Sequence, residues 1–127
     1  MNVHRIALVF VAAGALSACA SGPKVPDWRI SAVGHVQRFT EAWLSGDTRV
    51  AGREFDLARA DTARTGRPEL VARVELTRCA AQVASLDFAP CTGFDALAPD
   101  ASAAERAYAR YLAGQAGPDD APRLPPQ

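Results

Sequence analysis

Between residues 29 and 114 the apolar positions recur at the three-and-four spacing of amphipathic helices. Ala32, Val36, Phe39 and Trp43 define one face of a first helix over about 29–45, which Gly46 stops. Asp47 is placed to cap a second helix over about 48–65, with Ala51, Phe55, Ala58 and Thr62 on its inner face. Gly66 ends that helix, and Pro68 occupies a favoured first position for the next. The third helix, about 69–86, carries two apolar stripes. Leu70, Val74, Ala81 and Ala84 form one, and Ala72, Leu76, Cys79, Val83 and Leu86 form the other on the opposite side. A helix apolar on two sides is sandwiched, so the third helix is expected at the centre, between the 29–65 hairpin and the C-terminal segment. A last helix begins near Asp100, with Ser102-x-x-Glu105 as a capping box. Its face is Ala104, Ala107, Tyr108, Tyr111 and Leu112, and Gly114 closes it. The predicted fold is therefore all-α, a small antiparallel array of about four helices.

The flanks lack this periodicity. Residues 20–27 hold two prolines and a glycine and read as a tether, so that 19–28 form a linker before the domain at 29–114. Residues 115–127 hold four prolines and are expected to be disordered.

At 127 residues there is room for one domain. Fourteen bases balance fourteen acids, so no global field directs the chain to nucleic acid. Thirteen of the bases are arginine, a bias that fits a GC-rich coding sequence. Arg49, Arg53 and Arg64 fall on the outer side of the second helix and Arg67 follows in the turn. Segment 49–78 has seven arginines against five acids. This is either a mixed solvated face or a site for anionic lipid headgroups or cell-wall carboxylates.

The N-terminal pattern changes the picture most. His4 and Arg5 precede an uncharged apolar run at 6–16, "IALVFVAAGAL". Eleven residues are too few for a stable bilayer span, which needs about 20, but suit an export signal. Leu16-Ser17-Ala18-Cys19 then resembles the lipobox of bacterial lipoproteins at all four positions. In that family a diacylglyceryl group is attached to the cysteine sulfur, the signal peptide is cut just before it, and the new α-amine is acylated. The resemblance implies that residues 1–18 are a lipoprotein signal peptide. Cys19 becomes the lipidated first residue of the mature chain, anchored in a membrane. Ala20 and Ser21 follow; the aspartate that favours inner-membrane retention in Gram-negative lipoproteins is missing, which implies the outer membrane. The competing reading is ordinary secretion with cleavage after Ala20, at Ala18-Cys19-Ala20, giving a soluble periplasmic protein.

Three cysteines leave one over in an oxidising compartment. With Cys19 acylated or removed, Cys79 and Cys91 remain as an even pair, expected as a disulfide holding "DFAPCTGF" so that Phe88 and Phe94 cover the second stripe. Two free buried thiols are the alternative. The spacing does not match a Cys-x-x-Cys redox motif, and no histidine cluster offers a zinc site; no cofactor is implied.

A second resemblance involves Gly46-Asp47, Ala51, Phe55 and Ala58, which are similar to the middle of a tetratricopeptide repeat. It covers one turn and about one helix. Phe39 stands where that repeat has a small residue, Pro68 falls too late for its closing proline, and no second copy follows. The resemblance implies a helical hairpin binding proteins through a concave face; shared hairpin packing accounts for the same residues.

Candidate chemistry is sparse. His35, the only histidine of the expected mature chain, lies beside the apolar face of the first helix and reads as a partly buried structural residue. No nucleophile elbow, zinc-protease motif or phosphate loop accompanies it. Glu41, Asp47, Glu54, Asp56 and Asp61 alternate with arginines and read as solvated intrahelical partners, not as a glycosidase pair. The expectation is a non-enzymatic, periplasm-facing lipoprotein whose helical domain binds an envelope protein or peptidoglycan. The alternative is a small enzyme or accessory of cell-wall remodelling.

Overall fold

The computed structural model describes residues 22–124. The export segment at 6–16, the lipobox with Cys19, and residues 125–127 lie outside the described residues.

Helix α1, Asp27–Leu44, starts two residues before its apolar repeat, behind Pro26, with Asp27 in its first turn, where the helix dipole favours an acid. It buries Ala32, Phe39 and Ala42. Gly46 then takes φ +84°, and the amides of Gly46 and Asp47 donate to Trp43 and Ala42 carbonyls at 3.0 and 2.8 Å. This left-handed closure satisfies orphan carbonyls and turns the chain sharply. Asp47 caps helix α2, Thr48–Ala63, by accepting from the Val50 amide. Ala51, Phe55, Ala58 and Thr62 are all buried, the face the sequence predicts. Helix α3, Pro68–Ala84, follows with proline in its first turn.

α3 is central: it packs against α1 and α2 on one side and against the C-terminal elements on the other. Its two stripes enter two separate cores, except at their ends: Ala84 is exposed, and Leu86 lies past the helix end and is exposed too. Val74 and Ala81 join Phe39, Ala42, Ala51, Phe55 and Ala58. Ala72 and Leu76 join Phe94 and Ala101, with Tyr108 and Leu112 packed alongside.

Beyond α3 the chain folds back along it. A disulfide joins Cys79 to Cys91 with Cα atoms 5.8 Å apart, the spacing such bonds require. The one-turn helix α4, Thr92–Asp95, and a 3-10 turn, Ala98–Asp100, carry the chain towards the start of α3. Ser102 and Glu105 form the predicted capping box of helix α5, Ala103–Leu112. The antiparallel order thus runs through α1, α2 and α3. Because the connection retraces α3, α5 then runs alongside it in the same sense: Arg73 meets Glu105, while Cys79 and Val83 meet Leu112 and Gly114.

Three packing expectations are corrected. Phe94 is buried on the second stripe, but Phe88 is 71% exposed, because the bond at Cys91 anchors the chain only after Phe88 has passed the end of α3. On α5, Ala107 is buried, whereas Ala104 is exposed and Tyr111 is 52% exposed, since Glu105, Tyr108 and Leu112 share the side facing α3. The segment after Gly114 is ordered through Leu124, where disorder is expected from composition. Arg110 clamps Asp120 with two hydrogen bonds, and the Gly117 amide donates to the same carboxylate at 3.1 Å. Among the described residues no helix is long and apolar enough to cross a membrane.

Candidate functional site

The surface around the Cys79–Cys91 bond is built from four elements. Phe39 and Trp43 descend the last turns of α1, with ring centroids 6.1 Å apart. Phe55 from α2 lies 5.7 Å from Phe39, and the Arg78 guanidinium of α3 sits 4.3 Å above the Phe55 ring, a cation–π distance. Trp43 Nε1 donates to Ser85 Oγ at 3.1 Å, and Ser85 in turn donates to the Ala81 carbonyl. This hydrogen bond and the Phe39 contact favour one orientation of the indole. These groups floor an open groove of about 440 Å³, rimmed by Thr48, Asp56, Gln82 and Thr92 and walled by the disulfide. On the other side of the disulfide lies a second groove of about 530 Å³, lined by Val83, Phe88, Pro90, Tyr111 and Leu112. Cys79, Pro90 and Cys91 line both, so the bridge is the ridge between them.

A buried ion pair supports this ridge. Glu75 is only 3% exposed; Arg59 Nε donates to one of its oxygens at 2.8 Å and Arg78 Nη2 to the other at 2.5 Å. Gly93 lies directly over this pair: a Cβ added there falls inside contact distance of the Glu75 carboxylate and Arg78. Glycine at 93 is what lets the returning chain lie against α3. Buried charges are tolerated when paired and hydrogen-bonded, and Glu75 meets that condition. Its position between Val74 and Leu76, flanked by both apolar stripes, is the signal in the sequence that marks it. Glu105 and Asp120, also buried, depend on Arg73 and Arg110 from packed neighbours.

His35 lies elsewhere, between α1 and α2, and is partly buried as expected. Its Nδ1 is 2.6 Å from Glu54 Oε2, and Arg38 Nε donates to the same oxygen at 2.8 Å. Arg38 Nη2 lies 2.7 Å from the same Nδ1; a carboxylate only accepts and a guanidinium only donates, so Nδ1 serves Glu54 or Arg38 according to the tautomer. His35 Nε2 faces Asp61 Oδ2 at 3.9 Å, an oxygen that is buried with no hydrogen-bond partner; the other Asp61 oxygen accepts from Arg64. The hydrogen bond from His35 foremost, then that from Arg38, holds the Glu54 carboxyl below the usual carboxylate range.

The reading of the five acids as solvated intrahelical partners is thus corrected at two positions. Glu54 bonds across to α1, and Asp61 is 5% exposed. Glu41, Asp47 and Asp56 are exposed. His35 lines neither groove beside the disulfide, so its acids orient the ring and tie the hairpin together without presenting it to a ligand there.

The arginine face divides. Arg49, Arg53, Arg64 and Arg67 are all exposed. Arg64 is paired with Asp61 and Arg67 with Glu69 at 2.7 Å, while Arg49 and Arg53 make no ion pair among the described residues. Arg64 lies eleven residues beyond Arg53, roughly 16 Å along the helix, so the four do not converge. No group of three or more metal-ligating side chains occurs among the described residues. Compared with known proteins, the chain matches no family model, no curated protein sequence and no solved structure.

Proposed function

We propose that this chain is an outer-membrane lipoprotein, anchored through lipid on Cys19, whose helical domain faces the periplasm and binds an envelope component without catalysing a reaction. One observation carries the reading: the domain closes a disulfide between Cys79 and Cys91, which accounts for two of three cysteines and leaves the third at the end of an export-like apolar segment, in a lipobox. Disulfides persist in oxidising compartments. One acyl chain holds a protein only marginally and several hold it stably, so a triacylated Cys19 suffices for anchoring. The tether supports the same reading. Seven residues lie between Cys19 and Asp27, and the eight steps reach at most about 28 Å, which keeps the domain near the membrane surface.

The open grooves beside the disulfide and the exposed Leu86, Phe88 and Tyr111 favour binding over chemistry. The oriented histidine needed for acid–base work lies away from both.

Fractionation and crosslinking test the proposal together. The protein is expected in the outer-membrane fraction, a Cys19→Ser variant is expected to leave it, and crosslinking in intact envelopes should capture a specific envelope component. A wild-type protein found wholly in the soluble periplasmic fraction refutes the anchoring.

A further inference from the structure

The groove over Trp43 has a composition that selects among ligand chemistries. Its floor is a row of Trp43, Phe39, Phe55 and Arg78 in successive contact; Phe39 and Phe55 are buried beneath, and the half-buried Trp43 is the ring that reaches the groove. The indole favours one orientation before any ligand arrives, because Ser85 accepts from its N–H. The rim supplies a carboxylate from Asp56, a carboxamide from Gln82 and hydroxyls from Thr48 and Thr92, a mixture of acceptors and groups that both donate and accept.

Charge excludes one class of ligand. Arg59 and Arg78 together outnumber Glu75 by one positive charge, Arg78 lies over the Phe55 face, and Asp56 adds a negative charge at the rim that offsets the excess. A phosphate or carboxylate therefore meets no net positive charge. The polar rim is equally unsuited to a bare acyl chain, which fits the apolar groove across the disulfide better.

We infer that this groove is a saccharide-binding site for an uncharged glycan. A pyranose presents one face of C–H groups, which packs on the electron-rich face of an aromatic ring. Its edge of hydroxyls both donates and accepts, as Asp56, Gln82 and the threonines require. At about 440 Å³ the groove falls in the size range of small-ligand sites, roughly 300–1,000 Å³. The oriented indole lowers the ordering cost of binding. The inference deepens the envelope-binding reading and rests on it for the place where such a polymer is met.

The test uses the full-length chain with its disulfide intact, purified in detergent. The protein has two tryptophans, so Trp28→Phe leaves Trp43 as the sole indole reporter. Titration with a tetrasaccharide of N-acetylglucosamine, and separately with a neutral glucan tetrasaccharide, should give a saturable fluorescence change with at least one. Asp56→Ala and Gln82→Ala should each weaken binding by about tenfold at unchanged helicity and melting temperature. Arg53→Ala, outside the groove, should leave it unchanged. No saturable response to either sugar up to about 10 mM, wild-type affinity in both rim variants, or saturation by inorganic phosphate instead, overturns the inference. A membrane-anchored protein that binds neither sugar keeps the envelope reading and loses this one. Sugar binding by a chain that carries no lipid does the reverse.

Discussion

The two faces of α3 are assembled by different means. On the hairpin face, two regular helices joined by a tight glycine turn bury Phe39, Phe55 and three small alanines against Val74 and Ala81. On the opposite face, a largely irregular return segment reaches Ala72 and Leu76 with one aromatic residue, Phe94, and helix α5 adds Tyr108 and Leu112 beside it. The return segment is held by a disulfide and by close approach at Gly93 to the Glu75 carboxylate, which Arg59 of α2 and Arg78 of α3 bind. Regular helices satisfy their own backbone hydrogen bonds and need only an apolar stripe to dock. A return strap with little regular structure has lost more backbone entropy per residue for less burial, and covalent closure offsets that loss. The grooves lie where the strap crosses α3, so the less regular face carries the candidate site.

The largest effect is expected in the core beneath the strap. Leu76 is 3% exposed, and Leu76→Ala should destabilise by about 2–5 kcal/mol in denaturant titration; a loss under about 1 kcal/mol means that this face contributes little. The double variant Cys79→Ser/Cys91→Ser should lower stability by about 3 kcal/mol, seen as a lower melting temperature. Far-UV circular dichroism should still report helix, since the hairpin core needs no covalent tie. If helicity is lost entirely, the two faces do not differ as described.

Gly93→Ala probes the strap alone. The added methyl displaces a carboxylate that Arg59 and Arg78 hold from both sides, and overpacking of this kind costs about 1–3 kcal/mol. Hydrogen exchange should rise in residues 86–101 and stay unchanged in α1. A smaller effect, of opposite sign, is expected at Leu86, which closes α3 with φ +62°, where the corresponding residue after α1 is Gly46. Leu86 is 78% exposed, so Leu86→Gly relieves left-handed strain of about 1 kcal/mol at little packing cost and should raise the melting temperature.

Acid should release the tail before the cores. The Arg110 hydrogen bond first, and the Gly117 amide second, hold Asp120 at about 2, below its ordinary 3.8. A carboxyl whose folded value is lowered stabilises fully above its unfolded value, near pH 4, and its contribution disappears as pH falls through about 2. Glu54 is shifted in the same direction. Amide protection factors, corrected for the intrinsic pH dependence of exchange, should therefore fall at Gly117, Asp120, Ala121, Arg123 and Leu124 between about pH 4 and 2; protection kept at pH 2 and lost at pH 8 instead contradicts the assignment.

The same contrast explains what was legible in the sequence. Gly46-Asp47, the Phe39 and Phe55 faces, Pro68 and the Ser102–Glu105 box are local signals, and each takes its expected role. The opposite stripes of α3 disclosed its central place. Which aromatic of the strap turns inward was not readable, since Phe88 and Phe94 differ only in their side of Cys91. Nor were the pairs His35–Glu54, Arg73–Glu105 and Arg110–Asp120, which form only once helices or segments distant in sequence cross. The groove floor was hidden for the same reason: Trp43, Phe55 and Arg78 come from three helices, and each also reads as an ordinary core or surface residue.

The central claim is a lipid-anchored domain with its remaining cysteines in a structural bond. Intact-mass measurement of the mature protein, alkylated under denaturing conditions before and after reduction, tests it most directly. The account predicts a chain beginning at Cys19 with added diacylglyceryl and acyl mass, no alkyl group before reduction and two after it. An unmodified chain beginning at Ser21, or alkylated Cys79 and Cys91 without reduction, contradicts it.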